Sequence, residues 1–275
     1  MKIQVTFIII AAVFACREKQ SSVCELNDER LLRLINQFSQ SDWQAVYTAK
    51  DTLESLERRS LPYLFDLLTK DNEFVKLTNT ADLIYPGATE FYGHGWVIDY
   101  DLDWLQIRAG WAIENITFQN FGYRENRITE EDLFEIEKDT ALYRKYLETG
   151  TYDFKISPDA KRKIKETNAK AFQWWKLNEP SWTRLAGIQQ AIESNDARRL
   201  MDALQYLRFM EHCITGLDRR CFEEKIEPIL VELVESTNID IKRDAQLILE
   251  DVHVDTTNVE DRVKYFSELR DKCWK

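Results

Sequence analysis

The sequence predicts an all-α fold assembled from repeated helical hairpins, and three observations lead there. Only eight glycines and five prolines occur in 275 residues, too few for a many-turned β fold. Long stretches space their apolar residues by three and four, the period of a helix with one buried face. The segment "SLPYLFDLL" from Ser60 is echoed by "IEPILVELV" from Ile226, pairing Pro62 with Pro228, Leu64 with Leu230, Asp66 with Glu232 and Leu67 with Leu233. An apolar fraction of 44%, with 12% aromatics, is ample for a buried core.

The chain opens with "MKIQVTFIIIAAVFACREKQSS". Lys2 precedes an apolar run from Val5 to Ala15 that is too short to span a bilayer, the pattern of a cleaved export signal. The stretch "VFAC" resembles a bacterial lipobox, although Phe14 departs from the small or aliphatic residue usual there. That resemblance implies lipidation of Cys16, a membrane anchor, and residence in a bacterial cell envelope facing the periplasm or the exterior.

From Trp43, apolar residues fall at Val46, Ala49, Leu53 and Leu56, which predicts one helix. A second begins near Ser60, placed to cap it, with Pro62 in the first turn where a missing N–H costs nothing. "WLQIRAGWAIENI" from Trp104 is apolar nearly all round, as a central buried helix is, with Gly110 suited to a close helix–helix approach. Thr129 and Asp132 form a capping-box-like start to a charged helix that Gly150 ends, and Pro158 opens another containing Trp174 and Trp175. The basic run from Lys161 reads as a solvated face. Leu200, Ala203, Leu204, Leu207 and Met210 make one stripe, and Thr257 with Glu260 caps a last amphipathic helix.

The echo continues past the prolines, since Val75-Lys76 and Ile241-Lys242 lie equally far beyond them. Together with "IRAGWAIENI" and "IKRDAQLILEDV", this resembles the HEAT repeat over roughly 70 residues. The resemblance implies a degenerate solenoid of paired helices that binds other macromolecules, without specifying a reaction. The expected organisation is a signal peptide over 1–15, a tether over 16–24, a HEAT-like region over 25–128, charged bracing helices over 129–180, and a second HEAT-like region over 181–275.

A non-repeat insert is expected at about 84–103, "IYPGATEFYGHGWVIDYDLD". Its aromatic and acidic residues are the candidate binding surface: Tyr85, Phe91, Tyr92, His94, Trp96, Asp99, Tyr100, Asp101 and Asp103. Packing of the same residues against the helices is the competing reading. Asp99, Asp101 and Asp103 alternate like the start of a calcium loop, but the glycine and distal glutamate of that loop are missing, so no metal is expected. No nucleophile elbow or phosphate-cradling loop is present, and no cofactor is expected.

With Cys16 lipidated, four cysteines remain, and Cys213 with Cys221, flanking the turn "ITGLDRR", is the expected disulfide, two buried thiols being the alternative. A zinc site on His212, Cys213 and Cys221 lacks supporting spacing. A net charge of −11 disfavours nucleic acid and suits a basic protein partner. The expectation is therefore a membrane-anchored protein-binding module and not an enzyme. An immunity-type inhibitor of a basic toxin enzyme is the alternative, and a hydrolase-like enzyme using His94 and nearby aspartates is the reading from another class.

Overall fold

A computed structural model of the chain describes residues 28–70, 73–88, 96–125, 138–141, 144, 158–209, 212–253 and 268–274. The described chain is predominantly helical. The expectations for Cys16, Phe91, Tyr92, His94, the Thr129 helix, Met210 and the Thr257 cap fall outside those residues.

Helices α1 (Asp28–Phe38) and α2 (Trp43–Ser55) are joined by a short connection and pack on each other. Asp42 starts α2 because its side chain accepts from Ala45 N at 2.8 Å, satisfying one of the helix's orphan donors. Trp43, Val46, Ala49 and Leu53 are buried, as their spacing predicts.

Helix α3 (Leu61–Leu67) follows a 3₁₀ turn at Glu57–Arg59. Ser60 does not cap it with its side chain. The turn runs into the helix with Ser60 already in helical conformation, and the hydroxyl donates back to Glu57 O at 2.8 Å.

The first departure from the expected repeat comes after α3. Val75-Lys76 lies in extended chain, whereas its echo Ile241-Lys242 lies in a helix. Phe74 bridges antiparallel to Trp104, Val75 N donates to Asp103 O, and Thr78 bridges parallel to Asp42. Two short strands, β1 (Leu83–Ile84) and β2 (Trp96–Val97), pair in parallel farther on. The insert is thus longer than its glycines and tyrosines suggest and already occupies residues 74–78. The helix that completes the hairpin with α3 is α4 (Leu105–Thr117), which packs directly on it.

Helix α4 is the centre of the molecule: every residue but Asn115 is buried. Phe118 closes it in the left-handed conformation at φ 55°, which reverses the chain and places the ring in the neighbouring core. Gly110 does permit a close approach, but to the ring of Tyr123 rather than to another helix.

Helix α5 (Pro158–Asn178) starts at its proline and lays Trp175 flat on Phe65, ring centroids 5.3 Å apart. Trp175 is core, and Trp174 is partly buried against Phe121 and Trp182. Helices α6 (Arg184–Ile192) and α7 (Ala197–Phe209) form the next pair. Thr183 caps α6 through Ala186 N, and Asp196 accepts from Arg198 N and Arg199 N at the start of α7.

A helical turn (Arg219–Cys221) then widens into a π segment (Phe222–Ile226) before α8 (Glu227–Leu233). Pro228 explains the widening. It has no N–H to donate, and its ring would strike the carbonyl four residues back, so an extra residue in the turn relieves the clash. Helix α9 (Ile239–His253) packs on α8 and α7, and residues 268–273 are helical. Pro62 and Pro228 each occupy the second position of a seven-residue helix.

The expected Cys213–Cys221 bridge is not formed. Cys213 is bonded to Cys273, Cα atoms 5.0 Å apart, and Cys221 is a free, half-buried thiol. The C-terminal helix lies back over this end of the molecule, with Trp274 against Phe222 at 4.9 Å, and that return delivers Cys273. Cys221 N is meanwhile held by Asp218 Oδ1 at the start of its turn.

Candidate functional site

Two clusters bear on function, and the first proves structural. Tyr85, Asp101 and Asp103 from the insert are buried together with Lys76 and Arg108. Asp103 Oδ1 accepts from Leu77 N at 2.7 Å and from Tyr85 Oη at 2.8 Å, while its Oδ2 lies 3.3 Å from Lys76 Nζ. Lys76 also donates to Gly87 O, and Asp101 Oδ1 accepts from Asp103 N at 2.9 Å.

Arg108, fully buried, donates to four backbone carbonyls: Leu102, Phe38, Gln40 and Val75, at 2.8 to 3.0 Å. These belong to α1, its following turn, the extended segment and the approach to α4. One guanidinium thus fastens four pieces of chain at a single point, adding to the few backbone bonds between the extended segment and its neighbours. Burial pushes its pKa down to about 10, with Asp103 opposing, so it stays charged at neutral pH. Burial and the adjacent Asp103 carboxyl raise Asp101 well above the usual carboxylate range, and burial, then Asp103, raises the Tyr85 phenol.

Tyr100 is buried as well, packed at 6.2 Å from Trp111. Four members of the expected binding surface, Tyr85, Tyr100, Asp101 and Asp103, are therefore held inside the protein and cannot anchor a surface partner. A buried carboxylate needs several donors, and here the insert supplies them itself. Trp96 and Asp99 are exposed.

The second cluster surrounds a cavity of about 330 Å³ between α2, α4, α6, α7 and β2. Tyr47, Lys50 and Glu54 come from one face of α2, Trp111 from α4, Arg184 from the start of α6, and Asp202 and Tyr206 from α7. Trp96 stands at the edge, 57% exposed, with its ring 5.3 Å from Tyr47 in an edge-on contact. Val97 beside it is 70% exposed.

The charges in this cavity sit on aromatic faces. Lys50 Nζ is 4.3 Å from the centre of Trp111 and 2.7 Å from Glu54 Oε1. The Arg184 guanidinium is 4.2 Å from Tyr206 and 5.6 Å from Phe118, and it donates to Glu54 O at 2.6 Å. Ring faces carry negative potential, so each cation recovers part of its lost hydration.

Behind the cavity, Glu114 and Asp202 share Arg124. Glu114 Oε1 accepts from the backbone of Phe121, Gly122 and Tyr123, and its Oε2 takes Arg124 Nε at 2.9 Å. The remaining guanidinium nitrogens clasp both oxygens of Asp202. Burial alone would lower the Arg124 pKa, but Asp202 and Glu114 more than reverse this and leave it above the ordinary value. The bridge ties α4 to α7 and fixes the back wall.

Sequence reading missed every charged residue of this cavity. One signal was available: Lys50 and Glu54 stand four apart on the face of α2 that carries Ala49 and Leu53, where charges are unusual unless paired. Among the described residues, no helix is long and apolar enough to cross a membrane. No family model matches the chain, and no characterised protein or solved structure is similar to it.

Proposed function

We propose that this chain is a HEAT-like helical binding module, lipid-anchored through Cys16 at a bacterial cell envelope, whose receptor surface is the aromatic cavity and its rim. The observation that carries this reading is the exposed pair Trp96–Val97 beside a concave, aromatic-walled site. Soluble proteins rarely leave a tryptophan and a valine together in water at the mouth of a cavity unless something covers them.

The helical arrangement supports the same reading. Consecutive helices pack in pairs, α1 with α2, α3 with α4, α6 with α7 and α8 with α9. The matched placing of Pro62 and Pro228 fits degenerate copies of one hairpin, a design that presents extended surfaces to partners. The partner is another protein, and the net charge of −11 favours a basic one.

The test is recovery of partners from membranes by the wild type and by a Trp96→Ala/Val97→Asp variant. Both side chains are exposed, so the variant should fold normally. Loss of a discrete partner supports the reading, and equal recovery refutes it. Inhibition of a basic toxin enzyme is the second reading, favoured by the acidic net charge. It requires association that weakens steeply between low and physiological salt.

A further inference from the structure

Lys76 and Asp103 meet in the interior with an amine set against a carboxyl group. Lys76 is 4% exposed and Asp103 0%, and Nζ lies 3.3 Å from Oδ2, one bond short of the carboxyl carbon. The other oxygen, Oδ1, accepts from Leu77 N at 2.7 Å and from Tyr85 Oη at 2.8 Å. Acyl chemistry needs donors at that oxygen, because negative charge collects there when a nucleophile adds to the carbon. The pair Lys50–Glu54 is the contrast. It too is buried, and closer at 2.7 Å, yet among the described residues no backbone N–H or hydroxyl donates to the Glu54 carboxylate.

The surroundings favour a neutral product over the ion pair. Two opposite charges taken out of water are costly, and one amide in their place removes both. Burial, then Asp103, raises the Asp101 carboxyl well above the usual carboxylate range, so it stands as a neutral acid and adds no second anion beside the lysine. Burial likewise keeps the Tyr85 phenol protonated, as a donor to Oδ1. Lys76 Nζ also donates to Gly87 O. A side chain on Gly87 would come closer than 3.0 Å to Asp103 Oδ2 and to Asp101 Oδ1, so the glycine keeps clear the side of the oxygen that has to depart. Arg108 keeps its four carbonyl acceptors whether or not Asp103 is charged. Groups held this close react as if at an effective concentration of up to about 10⁵–10⁸ M.

We propose that Lys76 and Asp103 condense into an intramolecular isopeptide bond, formed by the folded chain itself, with Tyr85 Oη and Leu77 N as the oxyanion donors. Nζ first passes a proton to the Oδ2 it touches, leaving a neutral amine beside a neutral acid. The amine electron pair attacks Cγ, the Nζ–Cγ bond forms, and the carbonyl pair moves onto Oδ1. Nζ then gives a second proton to Oδ2. The pair on Oδ1 returns, the Cγ–Oδ2 bond breaks with its electrons on oxygen, and one water leaves. Nζ keeps one hydrogen, and no oxidant, reductant or further reactant is consumed. The bond ties the extended segment to the approach of α4. It closes a loop of sequence separation 27 that carries β1, β2 and the exposed Trp96–Val97 pair, whatever the cavity receives.

The test is mass spectrometry of the full chain after it has been denatured, reduced and digested with trypsin and a glutamate-specific protease together. Cleavage after Glu73, Lys76, Glu90 and Arg108 of an unlinked chain releases 74–76, 77–90 and 91–108 as separate peptides. A linked chain resists cleavage after Lys76, and 74–90 stays joined to 91–108 in one branched species, lighter than the two by one water. Fragmentation of that species should place the junction on Lys76 and Asp103. Release of the separate peptides from the wild type, or a junction at any other pair, overturns the proposal.

Lys76→Arg retains the cation without a nucleophilic amine, and Asp103→Ala removes the acyl carbon, so neither should yield the branched species. Its persistence in either variant also overturns the proposal. Should both variants fail to fold, the wild-type digest and its fragmentation decide alone. Tyr85→Phe removes one donor from Oδ1 and keeps the ring. In freshly translated protein its linked fraction should grow about a hundredfold more slowly than in the wild type, as the loss of one oxyanion donor predicts. An unchanged rate would count against the step as written.

Discussion

The ring of Tyr123 occupies the space that a side chain on Gly110 would need: a Cβ there would come closer than 3.0 Å to three atoms of the ring. Both residues are fully buried, and Tyr123 is further fixed by donating from Oη to Asn168 at 2.7 Å. Helix α4 and the 3₁₀ turn at Tyr123–Glu125 therefore meet at van der Waals distance only because the helix carries no side chain at this point.

Gly110→Ala is accordingly expected to destabilise, although alanine is the better helix former by about 1 kcal/mol. Overpacking of this kind costs about 1–3 kcal/mol or more, and here the ring has no free direction in which to move. Urea unfolding should show a lower midpoint with an unchanged slope. A midpoint equal to or above wild type would mean that the Tyr123 ring can be displaced at no cost.

Arg108 is expected to be the least replaceable residue of the insert region. Arg108→Met keeps the length of the side chain but strands four carbonyls, two of them fully buried, and loss of a buried charged donor costs about 3–5 kcal/mol. Arg108→Lys should lose most of the same stability, because one ammonium cannot reach four acceptors spread around a planar fork. Chemical denaturation checks both, and a lysine variant near wild type would overturn this account.

Asp101 makes stability depend on pH in an unusual direction. Its carboxyl is raised by burial and by Asp103, so the folded chain keeps a proton that the unfolded chain releases above about pH 4. The contribution of Asp101 to stability thus declines as pH rises, until the folded carboxyl ionises too. Asp101→Asn mimics the protonated acid and keeps the acceptor for Asp103 N. The variant should match wild type near pH 4 and gain on it progressively towards pH 8, as read from denaturation curves at the two values. A gap that stays constant with pH would count against a retained proton.

The Cys213–Cys273 bridge closes a loop of sequence separation 60, for which chain-entropy reasoning gives about 4 kcal/mol of stabilisation. Cys273→Ser should therefore lower the unfolding midpoint markedly, and addition of reductant to the wild type should do the same. Cys221→Ser should have little effect, since that thiol is unpaired and half-buried. Peptide mapping without reduction identifies the linked pair directly.

The sequence carried the helices well and the insert poorly, for a physical reason. Helical period is a local property, so the burial of Trp43, Val46, Ala49 and Leu53, and of nearly all of α4, could be read from spacing alone. Pro62 and Pro228 likewise announced matching helix starts. The fate of Asp101 and Asp103 depended instead on Lys76 and Arg108, whose alignment with them is a long-range fact. Arg108 itself gave a hint, as an arginine inside a helix otherwise apolar all round must find partners in the interior.

The cavity was illegible for the same reason. Glu54 and Arg184 are separated by 130 positions, yet 2.6 Å divides the guanidinium from the carbonyl. Cys213 and Cys273 met across a distance that no turn between them could suggest, whereas Cys221 looked suitable merely because it was near in the chain.

The bond between Cys213 and Cys273 also changes what a cut in the backbone would mean. A single protease nick anywhere between those two positions leaves one covalent molecule, its C-terminal helix still seated against Phe222. Wherever peptidases are abundant and reductants scarce, chain continuity and molecular integrity are thereby separated over more than a fifth of its length.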